Sequence, residues 1–378
     1  MMAIAVVCYP GLGGSGVIAS ELARSLASRG HRVFVLATAM PARLRVNGVR
    51  FEPIVVPSSP VFEHAPYGLA VANQLVQLVR RESIELVHLH YAIPHAASAL
   101  LATQVLGAAA PAMVVTLHGT DVTQLGAHPS LREVTAFALA ACDGLTTPSR
   151  YLRDAAVEAF ELPAARIEVI SNFVDVERFA PPPERDRRQL ASVFATPSGG
   201  PILFHVSNFR PIKRPLDLIE VLARVRRSVP ARLVLVGDGP ERAAVLERAA
   251  ALGLAGDVCW LGRRDDFAVL LGHADGFVLP SESESFGVAA LEAMAAGVPV
   301  FGYQVGGLPE VVTASTGTLV PLADLDALAA AIVAGVRNRD ALGRAGRARA
   351  EELFRSDRIA SVYESYFQRL LGAKKAPR

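Results

Sequence analysis

Residues 281–297 have the sequence Ser-Glu-Ser-Glu-Ser-Phe-Gly-Val-Ala-Ala-Leu-Glu-Ala-Met-Ala-Ala-Gly and lie between two short apolar runs, 276–280 and 298–302. Both runs have the length of a strand and are bounded by turn residues, whereas residues 288–296 are rich in helix formers and end at Gly297. The stretch therefore predicts a strand, a loop, a helix and a second strand. Glu284 then lies in the loop and Glu292 in the helix.

Glu292 is a carboxylate within an otherwise apolar helix. Burying it costs free energy unless it accepts hydrogen bonds, and ligand hydroxyls are one candidate source of donors. The free N–H groups at the start of this helix, near Gly287 and Val288, suit a phosphate, and Glu284 would lie beside that anion. In the alternative interpretation Glu284 caps the helix and Glu292 reaches a surface arginine. This stretch alone leaves both interpretations open.

The spacing of Glu284 and Glu292 within E-S-F-G-x-x-x-x-E-A-M-A-x-G-x-P resembles the signature of the family 4 retaining glycosyltransferases. That resemblance implies the α/β GT-B fold, in which two Rossmann-like doubly wound parallel-sheet domains face a cleft. It also implies that Glu284 contacts the transferred sugar and that Glu292 binds the ribose of the nucleotide. The anion site at the helix start then belongs to the donor and is formed by Phe286, Gly287 and Val288.

The length of 378 residues and the composition, 51% hydrophobic and 20% charged, predict two globular domains. A net charge of +2 gives no support for nucleic acid as a partner, so any anion site must be local. The three cysteines are far apart and contain no Cys-x-x-Cys pair, which argues against a disulfide framework or a zinc site. We expect them to be reduced core residues.

The N-terminal residues 1–10 lack a basic region and turn glycine-rich, which fits a first strand better than a signal peptide. No apolar run reaches about 18 residues, so a membrane-spanning helix is not expected. The cytoplasm is therefore the default location, with no membrane partner. Self-association into a homo-oligomer is left open.

Residues 3–8, 13–29 and 33–37 predict a β-α-β unit, and residues 11–16 between its strand and helix match G-x-G-x-x-G. An NAD(P)-dependent oxidoreductase is therefore a rival enzyme class. The second strand of such an enzyme ends near an acidic residue, and residues 37–41 contain none. What remains is a loop whose backbone can approach an anionic ligand.

Strand-like runs alternate with helical stretches along both halves of the chain and predict two doubly wound parallel sheets. The predicted domains are residues 1–171 and 172–355, and a C-terminal helix at 356–378 returns to the first domain by analogy with the GT-B fold. The charged stretch 184–188 follows the crossing. The predicted strands are 86–89, 112–117, 144–147 and 167–170 in the first half and 202–206, 232–236, 258–261, 277–279 and 298–301 in the second.

Polar residues follow the predicted strands of the first half, at 88–95, 118–121 and 149–150. Ligands are expected at this edge of a parallel sheet. The histidines are spread over two loops without a recognised metal-ligand spacing, so a metal site is not favoured. The one D-x-D match, at 324–326, opens a predicted helix, where acidic residues favour the helix dipole. We therefore expect neither a metal nor another cofactor.

In the second half, residues 207–214 follow a strand and place Arg210 and Lys213 where the sheet ends. Solvated surface charge is the alternative to an anion site there. The family resemblance implies that Arg210 and Lys213 hold the donor diphosphate and, without a metal, stabilise the charge on the leaving group. It also implies donor contacts from Gly14, Asn208 and Arg263, the last beside a glycine whose backbone reads the uracil.

Several motifs, most of them in the first half of the chain, narrow the resemblance to the branch of family 4 that transfers N-acetylglucosamine from UDP-GlcNAc to L-malate in bacillithiol biosynthesis. They are Cys8-Tyr-Pro10, residues 13–17, 29–31, 88–95 and 116–121, and residues 207–210.

The resemblance implies that Ser15, Tyr91, Thr120 and Arg150 surround the malate and that His118 contacts the sugar near its 6-hydroxyl. Arg43 is a reserve candidate for the acceptor carboxylates. The implied catalytic residues are then His118, Arg210, Lys213 and Glu284. Retention would follow from front-face attack, with the leaving phosphate taking the acceptor proton. The alternatives are a transferase with another small acceptor, the oxidoreductase, and a sugar-nucleotide-binding protein without turnover.

Overall fold

The structure is a computed structural model that describes residues 1–11, 13–41, 43–44, 48–61, 63–126, 128–183 and 200–375. It divides into two compact units, Met1–Asn172 with the segment that begins at Ser356, and Phe173–Arg355. The charged stretch 184–188 and the last three residues of the predicted C-terminal helix lie outside the described residues.

The first unit contains a parallel sheet, seven-stranded in the described part of the chain, with the strand order β3-β2-β1-β4-β5-β6-β7. Its elements are β1 (Ala3–Val7), α1 (Gly14–Ser28), β2 (Arg32–Ala37), β3 (Val49–Pro53), α2 (Tyr67–Glu82), β4 (Leu86–His90), α3 (His95–Leu106), β5 (Ala112–Thr116), α4 (Thr120–Thr123), α5 (Arg132–Ala140), β6 (Gly144–Thr147), α6 (Arg150–Phe160) and β7 (Ile167–Val169).

Side chains alternate between the two faces of this sheet, as the two-residue period of a strand requires. Val87 and Leu89 of β4 belong to the apolar core on one face. His88 and His90, from the same strand, are also fully buried, and the ring of His88 lies 5.4 Å from that of Tyr363. Tyr363 belongs to the helix Ser356–Lys375, which packs on this unit.

The second unit contains a parallel sheet of six strands within the described residues, in the order β10-β9-β8-β11-β12-β13. Its elements are β8 (Ile202–Ser207), α7 (Pro215–Val225), β9 (Arg232–Gly237), α8 (Arg242–Ala251), β10 (Val258–Trp260), α9 (Phe267–Gly272), β11 (Gly276–Leu279), α10 (Val288–Ala295), β12 (Val300–Tyr303), α11 (Leu308–Val311), β13 (Gly317–Val320), α12 (Leu325–Gly335) and α13 (Arg339–Leu353); the final helix Ser356–Lys375 is α14.

Both faces of the second sheet are covered. Phe204 and Phe277 lie in one apolar cluster together with residues of α10 and α13, whereas their neighbours Leu203 and Val278 lie in another with residues of α7 and α12. A parallel sheet buried on both faces is what continuous apolar strands predict. The predicted fold class, two Rossmann-like parallel-sheet units, is confirmed.

The strand, loop, helix and strand predicted from residues 276–302 are confirmed as β11, the loop, α10 and β12. Two strands at sheet edges, β3 and β13, were not predicted.

The cysteines are free thiols as expected, although Cys259 is only partly buried. Asp324 of the D-x-D match caps α12, because its Oδ1 accepts from the Ala327 N–H at 2.9 Å. In the described part of the chain, no helix is long and apolar enough to cross a membrane.

Candidate active site

The strand order of the second sheet reverses direction between β8 and β11, which are hydrogen-bonded neighbours. Open α/β sheets bind ligands beyond the carboxyl ends of the strands at such a switch point. The loop after β8 carries the predicted cations, and the loop after β11 carries Glu284. A backbone hydrogen bond of 2.9 Å from Glu282 N to Ile212 O joins the two loops.

Lys213 and Glu284 are in direct contact at this point, with 2.6 Å between Nζ and Oε1. The same carboxylate oxygen accepts a hydrogen bond of 2.8 Å from the Ser281 hydroxyl. Both charged side chains retain some exposure, 23% for Lys213 and 11% for Glu284, so a ligand can reach them. The side-chain hydrogen bonds of Glu284 to described residues come from Lys213 and Ser281 and do not include an amide of α10. These contacts give no support to the capping alternative.

Arg210 and Asn208 are exposed in the loop after β8, and the structure records no hydrogen bond from the Arg210 guanidinium to the described residues. Lys213 ends a short 3-10 helix, Pro211–Lys213, that follows Arg210 directly. Beneath the loop, His205 bonds the Ser207 hydroxyl at 2.8 Å, and that oxygen accepts the Phe209 N–H at 3.1 Å. These two hydrogen bonds connect the loop to the buried strand β8.

The glycine turn at 237–239 has a packing role. A Cβ at Gly237 would collide with the carbonyl of Ser207, and one at Gly239 with the carbonyl of Asn208. Only glycine lets the two loops approach this closely. Gly262, beside the exposed Arg263, accepts a hydrogen bond of 2.8 Å from Gly237 N. The predicted uracil-reading position is thus joined to the same turn.

Gly287 begins α10 with φ of 99°, a conformation suited to glycine, and a Cβ there would meet the Leu308 side chain. Phe286 is only 2% exposed and its ring lies 5.7 Å from that of Phe354 in the core. A donor contact at Phe286 would therefore use its backbone. Glu292 is 5% exposed within α10. Its predicted role towards the ribose stays a prediction.

In the first sheet, the order of the parallel strands reverses between the neighbours β1 and β4. The glycine-rich loop follows β1 and leads into α1, where Gly14 is the first residue and Ser15 the second. The first-turn amides of a helix have no acceptor within the helix and face outward. A Cβ at Gly16 would come within 2.6 Å of the Gly11 carbonyl oxygen, so the turn requires glycine there.

Tyr91 follows β4 beside this loop and has a φ of 90°, which is rare for a residue with a side chain. Its amide donates to Thr116 O at 3.0 Å, and its ring packs edge-to-face on Tyr9 at 5.5 Å. Backbone strain of this kind is found at functional sites. Thr120, the first residue of α4, is partly exposed after the neighbouring strand β5.

Asp121 is a buried residue that the sequence did not single out for a role. Its Oδ1 accepts the N–H groups of His118 at 2.9 Å and Gly119 at 2.8 Å, and its Oδ2 accepts the Ala92 N–H at 2.9 Å. One carboxylate therefore joins the loop after β4 to the loop after β5. The sequence signal that could have found Asp121 is its position at the start of a helix, where acidic residues are favoured.

Three of the first-unit histidines form a cluster, in which His88 and His90 are fully buried and His118, after β5, is partly exposed. His90 Nδ1 lies 3.0 Å from Nε2 of His118, and the rings of His88 and His90 lie 4.2 Å apart. Burial lowers the pKa of His118 to about 3, and burial with the charge of His118 lowers the pKa of His88 to about 3. Burial also places the pKa of His90 well below its usual range. These imidazoles are therefore neutral at physiological pH.

The remaining basic candidates differ in their surroundings. Arg150 begins α6, is exposed, and follows Ser149, whose hydroxyl caps the helix by accepting Leu152 N at 3.1 Å. The reserve candidate Arg43 is mostly buried and bonds the buried Glu21 at 3.4 Å. Arg150 is thus the better placed of the two for a ligand. Across the described ranges, no three His, Cys, Asp or Glu residues are grouped to hold a metal ion.

Two family models match the chain, "Glycosyltransferase Family 4" over residues 12–178 and "Glycosyl transferases group 1" over residues 186–350. The chain is 37% identical over 374 residues to N-acetyl-alpha-D-glucosaminyl L-malate synthase of Bacillus anthracis, covering 97% of each chain. The chain belongs to glycosyltransferase family 4. No support remains for the oxidoreductase suggested by G-x-G-x-x-G.

A second relative is the GDP-mannose-dependent alpha-(1-6)-phosphatidylinositol monomannoside mannosyltransferase of Mycolicibacterium smegmatis, 34% identical over 73% of this chain and 74% of that one. Among solved structures, HepE of Anabaena in complex with UDP-glucose superposes with a TM-score of 0.82 at 21% identity, over 98% of this chain and 100% of that one. The structural match supports the GT-B fold expected for this family 4 glycosyltransferase.

Proposed function

We propose that this family 4 glycosyltransferase transfers N-acetylglucosamine from UDP-GlcNAc to the hydroxyl of L-malate with retention at the anomeric carbon. The supporting observation is the contact between Lys213 and Glu284 at the β8–β11 switch point, next to the exposed Arg210. The choice of L-malate rests on the similarity to the L-malate synthase, which extends over 97% of both chains. The product would be the GlcNAc-malate used in bacillithiol biosynthesis.

The second unit carries the donor in this proposal. Arg210, Lys213 and the first-turn amides of α10 balance the charge of the diphosphate, and their fixed positions lower the cost of the charge that grows as UDP leaves. Glu284 accepts from hydroxyls of the transferred sugar, and Glu292 accepts from the ribose. Asn208, Arg263 and, from the first unit, Gly14 complete the contacts to the nucleotide-sugar donor.

In the transfer step the bond between the anomeric carbon and the diphosphate oxygen breaks. A bond to the malate hydroxyl oxygen forms on the same face of the sugar, and the hydroxyl proton moves to the departing phosphate oxygen. The leaving group thus acts as the base. This agrees with the lowered pKa of His118, which makes its imidazole a weak base at physiological pH. His118 contacts the sugar as a neutral group.

The first unit carries the acceptor. The amides at Gly14 and Ser15 and the hydroxyls of Ser15, Tyr91 and Thr120 are hydrogen-bond donors, as a small dicarboxylate requires. Arg150 supplies a positive charge that can bind a carboxylate with two hydrogen bonds. An inositol phosphate would use similar hydrogen-bond donors, so another small acceptor is the second candidate.

The test is release of UDP from UDP-GlcNAc with L-malate, D-malate or inositol phosphate as acceptor, with the anomer of the product assigned by NMR. We expect strong stimulation by L-malate, weak stimulation by D-malate and none by inositol phosphate, because both carboxylates and the hydroxyl must be held together to orient the attack. Stimulation by another small acceptor alone would leave the family assignment and remove L-malate. Lack of turnover with UDP still binding would indicate a non-catalytic sugar-nucleotide-binding protein.

A further inference from the structure

His118 uses one ring nitrogen within the protein. Its Nε2 lies 3.0 Å from Nδ1 of His90, and the described residues offer no hydrogen-bond partner to its Nδ1. The side chain is partly exposed, whereas His90 is fully buried. His118 therefore presents Nδ1 to a ligand, and the hydrogen bond made by Nε2 decides whether that nitrogen carries a proton.

The surroundings of His90 select one of the two tautomers. Its Nε2 is buried and has no hydrogen-bond partner among the described residues. If His118 donated to His90, the proton of His90 would sit on this Nε2 as a buried donor without an acceptor, and such N–H groups are rare in folded proteins. If His90 donates from Nδ1, its Nε2 carries no proton, and no buried N–H is left without an acceptor.

We propose that His90 is a positioning residue that donates from Nδ1 to His118 Nε2 and so fixes His118 as a hydrogen-bond donor, through Nδ1, to an oxygen of the transferred sugar. This role rests on the proposed function, because it needs a sugar bound at His118. The burial that keeps both rings neutral supports it.

His88 provides a matched control on the same strand face. It is fully buried like His90, but it bonds through the other nitrogen, with Nε2 lying 2.7 Å from the Thr116 hydroxyl. The amide of a glutamine reaches the region of histidine Nε2, whereas that of an asparagine reaches the region of Nδ1. Glutamine should therefore keep the hydrogen bond at His88 and remove it at His90, whereas asparagine should do the reverse.

The first measurement is the tautomer of His118 in the ligand-free full-length chain, observed by ¹⁵N NMR of histidine-labelled protein and assigned with a His118→Gln variant. We expect the proton on Nδ1. A proton on Nε2 in the wild-type chain would overturn the proposal, whatever the enzyme's substrates are. This readout does not depend on the proposed function.

The second measurement is the kcat of folded variants with UDP-GlcNAc and L-malate. His90→Gln should lower kcat about tenfold or more with little change in the donor KM, because a misdirected tautomer removes a transition-state contact. His90→Asn should restore kcat to within about threefold of wild type, since its amide can still donate to His118. His88→Gln should stay near wild type.

Equal kcat for His90→Gln and His90→Asn would overturn the positioning role. If the wild-type chain does not transfer GlcNAc to malate, the proposed function fails while the tautomer result still stands. If His90→Gln does not fold, the wild-type spectrum and the kcat of His90→Asn decide the question, and a kcat of His90→Asn reduced tenfold would count against it.

Discussion

Lys213 contacts Glu284 in the structure, so the proposed donor diphosphate would compete for, or share, a cation that has a partner within the chain. The contact of 2.6 Å is partly exposed, and ion pairs in contact with water contribute little to folding stability. The pair is therefore better explained as a positioned charge than as a stabilising bridge. A lysine in this position can turn towards a phosphate without a large change in the energy of the fold.

If Lys213 stabilises the charge that develops as UDP leaves, Lys213→Ala should lower kcat about a hundredfold and raise the donor KM much less. Steady-state kinetics with UDP-GlcNAc and L-malate measure both constants. Arg248→Ala is the control, because Arg248 is an exposed cation of the same unit that pairs with Glu220. Full kcat in Lys213→Ala, or an equal loss in Arg248→Ala, would contradict the assignment.

The contacts around Lys213 and His118 differ in how far the sequence could predict them. Lys213 and Glu284 each follow a strand of a parallel sheet, which predicts both at the carboxyl ends of the strands. In the structure they are in direct contact. The contact between His90 and His118 depends on which way each ring turns, and spacing along the chain does not determine that. The motif predicts Phe286 as a donor-site residue, whereas its side chain is buried in the core.

At the level of secondary structure, Asp121 joins the loop after β4 to the start of α4 through three backbone N–H groups. Asp121→Asn replaces one acceptor oxygen with a donor, so at least one buried N–H loses its partner. Such a loss costs about 1–3 kcal/mol. Hydrogen exchange of the amide of Ala92, or of His118 and Gly119, should accelerate accordingly, and kcat should fall because both loops carry candidate site residues.

Asp324→Asn is the control for this change, since Asp324 caps α12 at an exposed position and asparagine is an equally good N-cap. Its exchange rates should match those of the wild type throughout the first unit. Unchanged exchange at Ala92, His118 and Gly119 in Asp121→Asn would show that the carboxylate does not join the two loops.

The two unpredicted strands, β3 and β13, share a physical cause. Each lies at the edge of its sheet and pairs with a neighbour on one side only among the described strands. β3 contains the exposed residues Arg50 and Pro53, and β13 begins with glycine and exposes Thr318. Charged and polar residues protect edge strands from pairing with other chains. The same residues remove the apolar pattern by which the central strands were predicted.

Most candidate residues lie beyond the carboxyl ends of parallel strands, and many follow the strands at the two switch points, β1–β4 in the first unit and β8–β11 in the second. This arrangement could be predicted from the sequence, because alternating strands and helices determine a parallel sheet and parallel sheets bind ligands at one edge. The identity of the acceptor could not be predicted from these residues, since hydroxyls, amides and one arginine suit several small anions. L-malate as the acceptor is implied by the family resemblance alone.

At the scale of the whole molecule, we predict that EDTA leaves the rate of transfer unchanged and that added Mg²⁺ does not raise it. The physical reason is that Arg210, Lys213 and the first-turn amides of α10 can together meet the charge of the departing diphosphate. The measurement is UDP release after dialysis against EDTA, with and without Mg²⁺ or Mn²⁺.

A thermal unfolding curve of the EDTA-treated chain serves as the control, because a structural metal would be detected there as a lower midpoint. A rate that falls after dialysis and recovers with Mg²⁺ or Mn²⁺, at an unchanged midpoint, would mean that a cation carries part of the charge assigned to Arg210 and Lys213. The reduced kcat expected for Lys213→Ala would then have to be measured again at saturating metal.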